Sequence, residues 1–329
     1  MPPYADLSPH TVLDALHALG RQGDGRLLQL NSYENRVFLA YLDDGEAVVA
    51  KFYRPGRWSD AQILEEHAFA LELAEAEVPV VPPSFLPADV PGVLGVPPTL
   101  FALPGCGHRV ALAPRCGGRE ADLNDTVLRT IGRFLGRLHS VGARGRFEHR
   151  HRMTPGDADT AVAALLKGGF VTPAEQPAWE SLARQAAAQI HEAFECHPPQ
   201  RWLRLHGDCH LGNVLWRDAT PHLVDLDDAC TGPAVQDLWM LVAGDATTQA
   251  GQLAALLEGY ESFFEFDRGE LALIEPLRTL RMLRHSAWLA ARWGDPSFPI
   301  AFPFFGSASY WSQQTTQLRE QIEAMGGNA

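Results

Sequence analysis

The alternation of apolar and polar positions divides the chain into a strand-rich beginning and a helical remainder. Ser8-Pro9 opens a short helical pattern over 11–19 that Gly20 can end. Mostly apolar runs that read as strands follow at 26–30, 36–42 and 47–53. The polar turn 31–35 and the hairpin turn Asp43-Asp44-Gly45 separate them, so they read as consecutive antiparallel strands. Ser59 with Gln62 has capping-box spacing and predicts a helix running to Ala76. Residues 78–98 are rich in Pro and Val and read as an irregular link. Strands are expected again at 99–103 and 108–113, the second running into Pro114-Arg115-Cys116-Gly117-Gly118. From Leu123 onward the apolar spacing is helical: 127–141, capped by Asn124 or Asp125, then 157–168 and 174–195. After a central loop with short strands, helices are expected near 235–243, 247–265, 269–293 and 307–325.

Composition narrows the classes. With 329 residues, 46% hydrophobic and 20% charged, the chain is long and apolar enough for two lobes around a sizeable core. A formal charge of -13 argues against a partner held by bulk positive charge, so neither nucleic acid nor an anionic membrane is expected. The five cysteines form no C-x-x-C pair, no secretory leader pattern is visible, and no apolar run reaches membrane-spanning length. The expected compartment is the reducing cytoplasm.

The chemistry concentrates in Leu205 to Trp216 and in the segment after it. A lead-in strand ends in His206-Gly207-Asp208, Asn213 follows, and the apolar run His222-Leu223-Val224 ends in Asp225-Leu226-Asp227-Asp228. Phosphoryl transfer needs one carboxylate near the incoming hydroxyl, and an amide oxygen plus a second carboxylate for the metal on the phosphates. His206, Asp208 and Asn213 have the offsets of the kinase loop H-R-D-x-x-x-x-N, with Gly207 in place of Arg. Asp208 is the expected catalytic base, His206 a prop for the loop, and Asn213 and Asp225 the expected Mg2+ ligands, with Asp225 counted also among the catalytic residues. Asp227 is a weaker third metal candidate. Upstream, Lys51 interrupts the apolar run Val48-Val49-Ala50, as a phosphate-binding lysine does. Of the two acids on the next helix, Glu66 is the expected partner of Lys51, because Phe69, Ala70 and Leu73 follow it on one face. Backbone groups from Ala111 to Ala113 are expected to meet an adenine edge. Ser32, in the turn between the first two strands, is placed to bond phosphate.

Other readings are weaker. His206, Asp208, Cys209, His210 and Cys230 include transition-metal donors, but Gly207 and Gly212 argue for a loop, where i, i+4 spacing aligns nothing. Neither G-x-x-x-x-G-K-[ST] nor a G-x-G-x-x-G between the first two strands is present.

The stretch His206 to Asn213, followed by Val224 to Asp227, resembles the aminoglycoside phosphotransferase and choline kinase branch of the protein-kinase-like fold. Within that branch, residues 30–37, 49–55, 62–67, 205–216, 224–229 and 232–241 resemble the bacterial stress response kinase A family. The resemblance covers about residues 6 to 315 and weakens over 80–110 and 145–200. It implies an α+β, two-lobed fold: a small antiparallel-sheet lobe with one helix, residues 1–118, and a larger, mainly helical lobe, residues 119–329. It also implies a monomeric, ATP- and Mg2+-dependent serine/threonine protein kinase linked to stress responses, with Ser32 on ATP phosphate, Asp208 as proton acceptor, Asn213 and Asp225 on Mg2+, and Asp237 supporting the loop. A small-molecule kinase and a non-catalytic binding module are the competing readings. Retention of Lys51, Asp208, Asn213 and Asp225 speaks against the second. The aromatic stretch from Trp288 to Phe305 suits either core packing or an acceptor wall.

Overall fold

A computed structural model describes residues 3–326. The elements in chain order are α1 (Pro9–Ala18), β1 (Gly23–Leu30), β2 (Arg36–Leu42), β3 (Ala47–Tyr53), α2 (Asp60–Glu75), β4 (Val93–Leu94), β5 (Leu100–Ala102), β6 (Arg109–Pro114), α3 (Asp125–Gly142), α4 (Gly156–Gly168), α5 (Gln176–Cys196), β7 (Leu203–Leu205), β8 (Val214–Arg217), β9 (Thr220–Leu223), β10 (Cys230–Gly232), α6 (Gln236–Trp239), α7 (Ala246–Tyr260), α8 (Ile274–Arg292), α9 (Ser297–Ala301) and α10 (Ala308–Gly326). The fold is α+β: a six-stranded antiparallel sheet in the order β1-β2-β3-β6-β5-β4, with a mostly helical remainder.

Two compact units make up the chain. The first comprises the residues up to His151, Arg204–Cys230 and Met240–Glu265. The second comprises Arg152–Leu203, Thr231–Trp239 and the residues from Phe266 onward.

The strand pleat sorts the first unit's sheet into two faces. Phe38, Ala40, Ala50, Phe52, Val110 and Leu112 pack with Val12, Ala15 and Leu16 of α1 in one buried cluster. On β3 the intervening positions Lys51 and Tyr53 point the other way, where Tyr53 and Ala111 pack with Ile63 of α2 and Leu100. Burial at that face neutralises His67, whose pKa falls to about 3, and its ring bonds Tyr53 Oη at 2.8 Å and Thr99 Oγ1 at 2.9 Å. The Ser59 capping box starts α2 as its residues predict. Helices α3 and α7 cross closely because α3 has glycines at the contact: a Cβ on Gly132 would lie 2.0 Å from Leu256 O. His139 packs at the same interface and bonds Tyr260 Oη at 2.8 Å.

Helices and aromatic rings build the second unit. Trp179 of α5 meets Trp311 of α10 edge to face with centroids 5.3 Å apart, and Trp311 Nε1 donates to Phe170 O at 2.7 Å. Trp288 packs on Phe298, and Trp293 on Phe305, each at 5.0 Å. Packing is therefore the observed state of most of the aromatic stretch, and Phe304 is its half-exposed member.

Three expected helices differ. The helix near 235–243 is confined to Gln236–Trp239. The long one at 269–293 breaks into a 3-10 segment, Arg268–Leu273, and α8. Pro276 sits in the first turn of α8, where its missing N–H is tolerated, and its ring blocks an upstream α-helical continuation. α7 stops at Tyr260 rather than 265. β4 and α9 had no clear periodicity in the sequence.

Candidate active site

The expected catalytic loop lies in the first unit, between β7 and β8. His206 is fully buried and holds the loop at both ring nitrogens. Its Nε2 donates to Val224 O at 2.9 Å, and its Nδ1 accepts from the Asp208 amide at 3.4 Å. Gly207 has φ +85°, and a Cβ there would sit 2.2 Å from Asp228 O. No residue with a side chain fits so close an approach, which explains the glycine in the arginine position. His210 caps the turn Leu211–Asn213 by accepting from Gly212 N at 3.0 Å. Asn213 Nδ2 donates to Asp208 O at 3.0 Å, so the amide is oriented by the residue expected to be the base. Val224 N in turn donates to Asn213 O at 3.0 Å, tying the loop to the second motif.

That motif begins at Asp225, held in the left-handed region at φ 62° and ψ 63°. Such a conformation is uncommon outside glycine and is maintained only where the surroundings fix it. Asp225 Oδ1 accepts from Lys51 Nζ at 3.1 Å, and Lys51 Nζ also lies 3.0 Å from Asp227 Oδ1. Burial disfavours the ammonium, but Asp227 and Asp225 outweigh it and hold the Lys51 pKa well above the ordinary lysine value.

Glu66 departs from expectation. The ion-pair partners of Lys51 are Asp225 and Asp227, not Glu66. Glu66 is buried beside His67, with Oε2 3.7 Å from its Nε2. Burial pushes its pKa up to about 7, and the Lys51 charge only partly offsets that. The two nearer carboxylates occupy the ammonium, so Glu66 acts on it through space. Glu65 has a different partner: its carboxylate accepts from the amides of Glu148, His149 and Arg150 at 2.5, 2.9 and 2.7 Å.

Residues expected around the nucleotide lie in the same unit. Ala111 stands opposite Lys51, and Ala113 opposite Val49, in the β3–β6 register. The Ala111 methyl is buried in the cluster with Tyr53, Ile63 and Leu100. Ser32 Oγ accepts from Asn35 N at 3.3 Å inside the β1–β2 turn. Asn35 joins this turn to the site, through Nδ2 donating to Asp227 Oδ2 at 3.1 Å. Asp227 is itself buried and paired with Arg57 as well as Lys51. Burial raises its pKa, but Lys51 and Arg57 more than reverse that and hold it well below the carboxylate range. Sequence reasoning passed over Asn35, Arg54, Arg57 and Arg150. Their partners lie far along the chain, so no spacing announces them.

A computed family profile described as the phosphotransferase enzyme family matches residues 26–274. Stress response kinase A of Escherichia coli strain K12 is 42% identical over 335 residues, covering 98% of this chain and 94% of that protein. The chain belongs to the stress response kinase A family. A second member, named serine/threonine protein kinase RdoA, from Salmonella typhimurium strain LT2, is 42% identical over 325 residues with the same coverage. Membership makes the chain an enzyme of the phosphotransferase class. Among solved structures, amicoumacin kinase hAmiN in complex with AMP-PNP, Ca2+ and Ami superposes with a TM-score of 0.73 at 18% identity, over 96% of this chain and 93% of that one. A microcompartment-associated aminopropanol kinase gives 0.67 at 20% identity, over 94% and 95%. At these identities the two structures establish the shared fold. Among the described residues, no helix is long and apolar enough to cross a membrane.

Proposed function

We propose that the chain is an ATP- and Mg2+-dependent kinase that phosphorylates serine or threonine hydroxyls of a protein, in the cytoplasm and as a monomer. The observation that carries the chemistry is the meeting of Lys51, from β3, with Asp225, on the turn that Val224 and Asn213 tie to the Asp208 loop. The protein acceptor is supported by family members 42% identical across 98% of the chain, one of which is named a serine/threonine protein kinase.

In this reading residues 1–118 hold the nucleotide, and residues 119–329 supply the catalytic loop and the acceptor surface. Ser32 and Lys51 bind phosphate oxygens, and the backbone from Ala111 to Ala113 meets the adenine edge. Glu66 tunes the Lys51 charge from a distance. Asp208 orients the acceptor hydroxyl and takes its proton as the oxygen–phosphorus bond forms and the bond from the γ-phosphorus to the departing ADP breaks. His206 keeps Asp208 on station through the amide it accepts from.

The donor chemistry fits Mg2+. The bond from Asn213 Nδ2 to Asp208 O leaves the amide oxygen as the coordinating end, and the Asp225 side chain is 54% exposed. Both are hard oxygen donors, and Mg2+ needs few protein ligands beside phosphate oxygens. When bound, the ion would neutralise charge on the transferring phosphate.

The test is transfer from γ-labelled ATP in cell extract, followed by separation of protein-bound from small-molecule label. Label on serine or threonine of a protein supports the reading. Label in small molecules alone would reject the protein acceptor while keeping the phosphotransferase.

A further inference from the structure

The turn between β1 and β2 contains no glycine from Asn31 to Asn35, so it cannot work as a pliable phosphate-binding loop. It is tied down instead from the segment after β3. Arg54 donates from Nε to Glu34 O at 3.1 Å, from Nη2 to Tyr33 O at 3.4 Å, and from its amide to Asn35 Oδ1 at 3.1 Å. Its guanidinium also pairs with Glu34 Oε1 at 3.0 Å. Arg57, three residues on, reaches the other way. Nη1 pairs with Asp227 Oδ2, Nη2 bonds Asp228 Oδ1 at 2.5 Å, and Nε lies 3.8 Å from Glu34 Oε1. One guanidinium thus touches the turn carrying Ser32 and the two carboxylates that follow Asp225.

The opposite side of the Asp225 turn is gripped by its main chain. Arg150 donates from Nη2 to Asp227 O at 2.5 Å and from Nε to Ala229 O at 2.8 Å. The Trp58 ring lies within 4.9 Å of the Arg57 guanidinium and 4.1 Å of that of Arg150, which holds both in place. Asp227, buried and paired with Lys51, Asn35 and Arg57, is therefore a hub between β3, the Ser32 turn and the Asp225 turn.

We infer that Arg57 is a positioning residue, which acts through Glu34, Asp227 and Asp228 to fix the Ser32 turn and the left-handed Asp225 at one spacing. The inference rests on the nucleotide and metal roles proposed for Ser32 and Asp225. A lysine at 57 would offer one point charge where a planar fork reaches separate carboxylates. Removal of a residue that orients ligands in this way costs about 10- to 100-fold in metal affinity or activity.

The experiment compares wild type with Arg57→Ala, Arg57→Lys and Asn35→Ala, measuring half-saturating ATP, half-saturating Mg2+ and acceptor KM. Thermal melts identify the folded variants. Asn35→Ala leaves every charge paired, so it keeps the test decisive if Arg57→Ala does not fold. The expected result is a rise of about tenfold or more in both ATP and Mg2+ midpoints for Arg57→Ala, with acceptor KM unchanged. Arg57→Lys should fall between, Asn35→Ala should move the ATP midpoint in the same direction, and guanidinium ion should partly rescue Arg57→Ala. Folded variants with wild-type ATP and Mg2+ midpoints would overturn the inference. So would equal losses for nucleotide and acceptor with no guanidinium rescue. Failure of the wild type to bind Mg-ATP would instead remove the site reading on which the inference stands.

Discussion

The first unit carries a charge network beside its apolar core, and the second a cluster of packed rings. In the first, Lys51, Arg57, Asn35, Asp225 and Asp227 form a network of charges and amides from distant parts of the chain. In the second, Trp179, Trp311, Phe305 and Tyr310 pack ring on ring, and most of them come from one stretch near the end of the chain. Apolar packing tolerates loss in proportion to the volume removed. A buried charge network does not, because removing one member leaves its partner charged and dry. The charged region should therefore respond to mutation through function and pH as well as stability, and the aromatic region through stability alone.

Trp311→Ala gives the largest stability effect on that view. Trp311 is fully buried and its Nε1 bond to Phe170 O would also be lost. The expected loss is about 3–5 kcal/mol, read by denaturant unfolding, with ATP half-saturation of the remaining folded protein unchanged. A shift in ATP half-saturation without a stability loss would erase the contrast between the units.

Glu66→Gln sharpens the same contrast with a smaller effect. Burial lifts the Glu66 pKa from 4.5 to about 7, so the folded state holds a proton that the unfolded chain releases. That contribution is fully present below about pH 4.5 and is lost as pH rises through about 7. The glutamine variant should lose this slope and gain up to about 3 kcal/mol on the wild type above pH 8, measured as unfolding free energy against pH. Parallel pH profiles for the two proteins would show that Glu66 ionises freely and is not strained by its burial.

Much of the fold was legible because its signals are local. The apolar runs Arg36–Leu42 and Ala47–Tyr53 and the Ser59–Gln62 capping box each state an element within a few residues, and each element forms as read. The loop from His206 to Asn213 was legible because its residues stand at fixed offsets along one segment. The structure gives Gly207 a reason the spacing did not contain, the passage of Asp228 O where a Cβ would stand. What stayed hidden was pairing across the chain. Arg57 meets Asp227 across 170 positions, and Asn35 meets it across 192. Nothing in the local sequence distinguishes that arginine from a solvated one. The choice of Glu66 over Glu65 was correct about burial, since Glu66 is 6% exposed, but the apolar face could not show that two nearer aspartates take the lysine.

The central claim is that the loop held by His206 presents Asp208 as the proton acceptor of phosphoryl transfer. Its most direct test is one protein pair, wild type and Asp208→Ala, assayed in parallel for Mg-ATP binding and for phosphate transfer. The account predicts binding within about twofold of wild type, and turnover lower by about 100- to 10,000-fold. Turnover at the wild-type rate in the folded variant would contradict it.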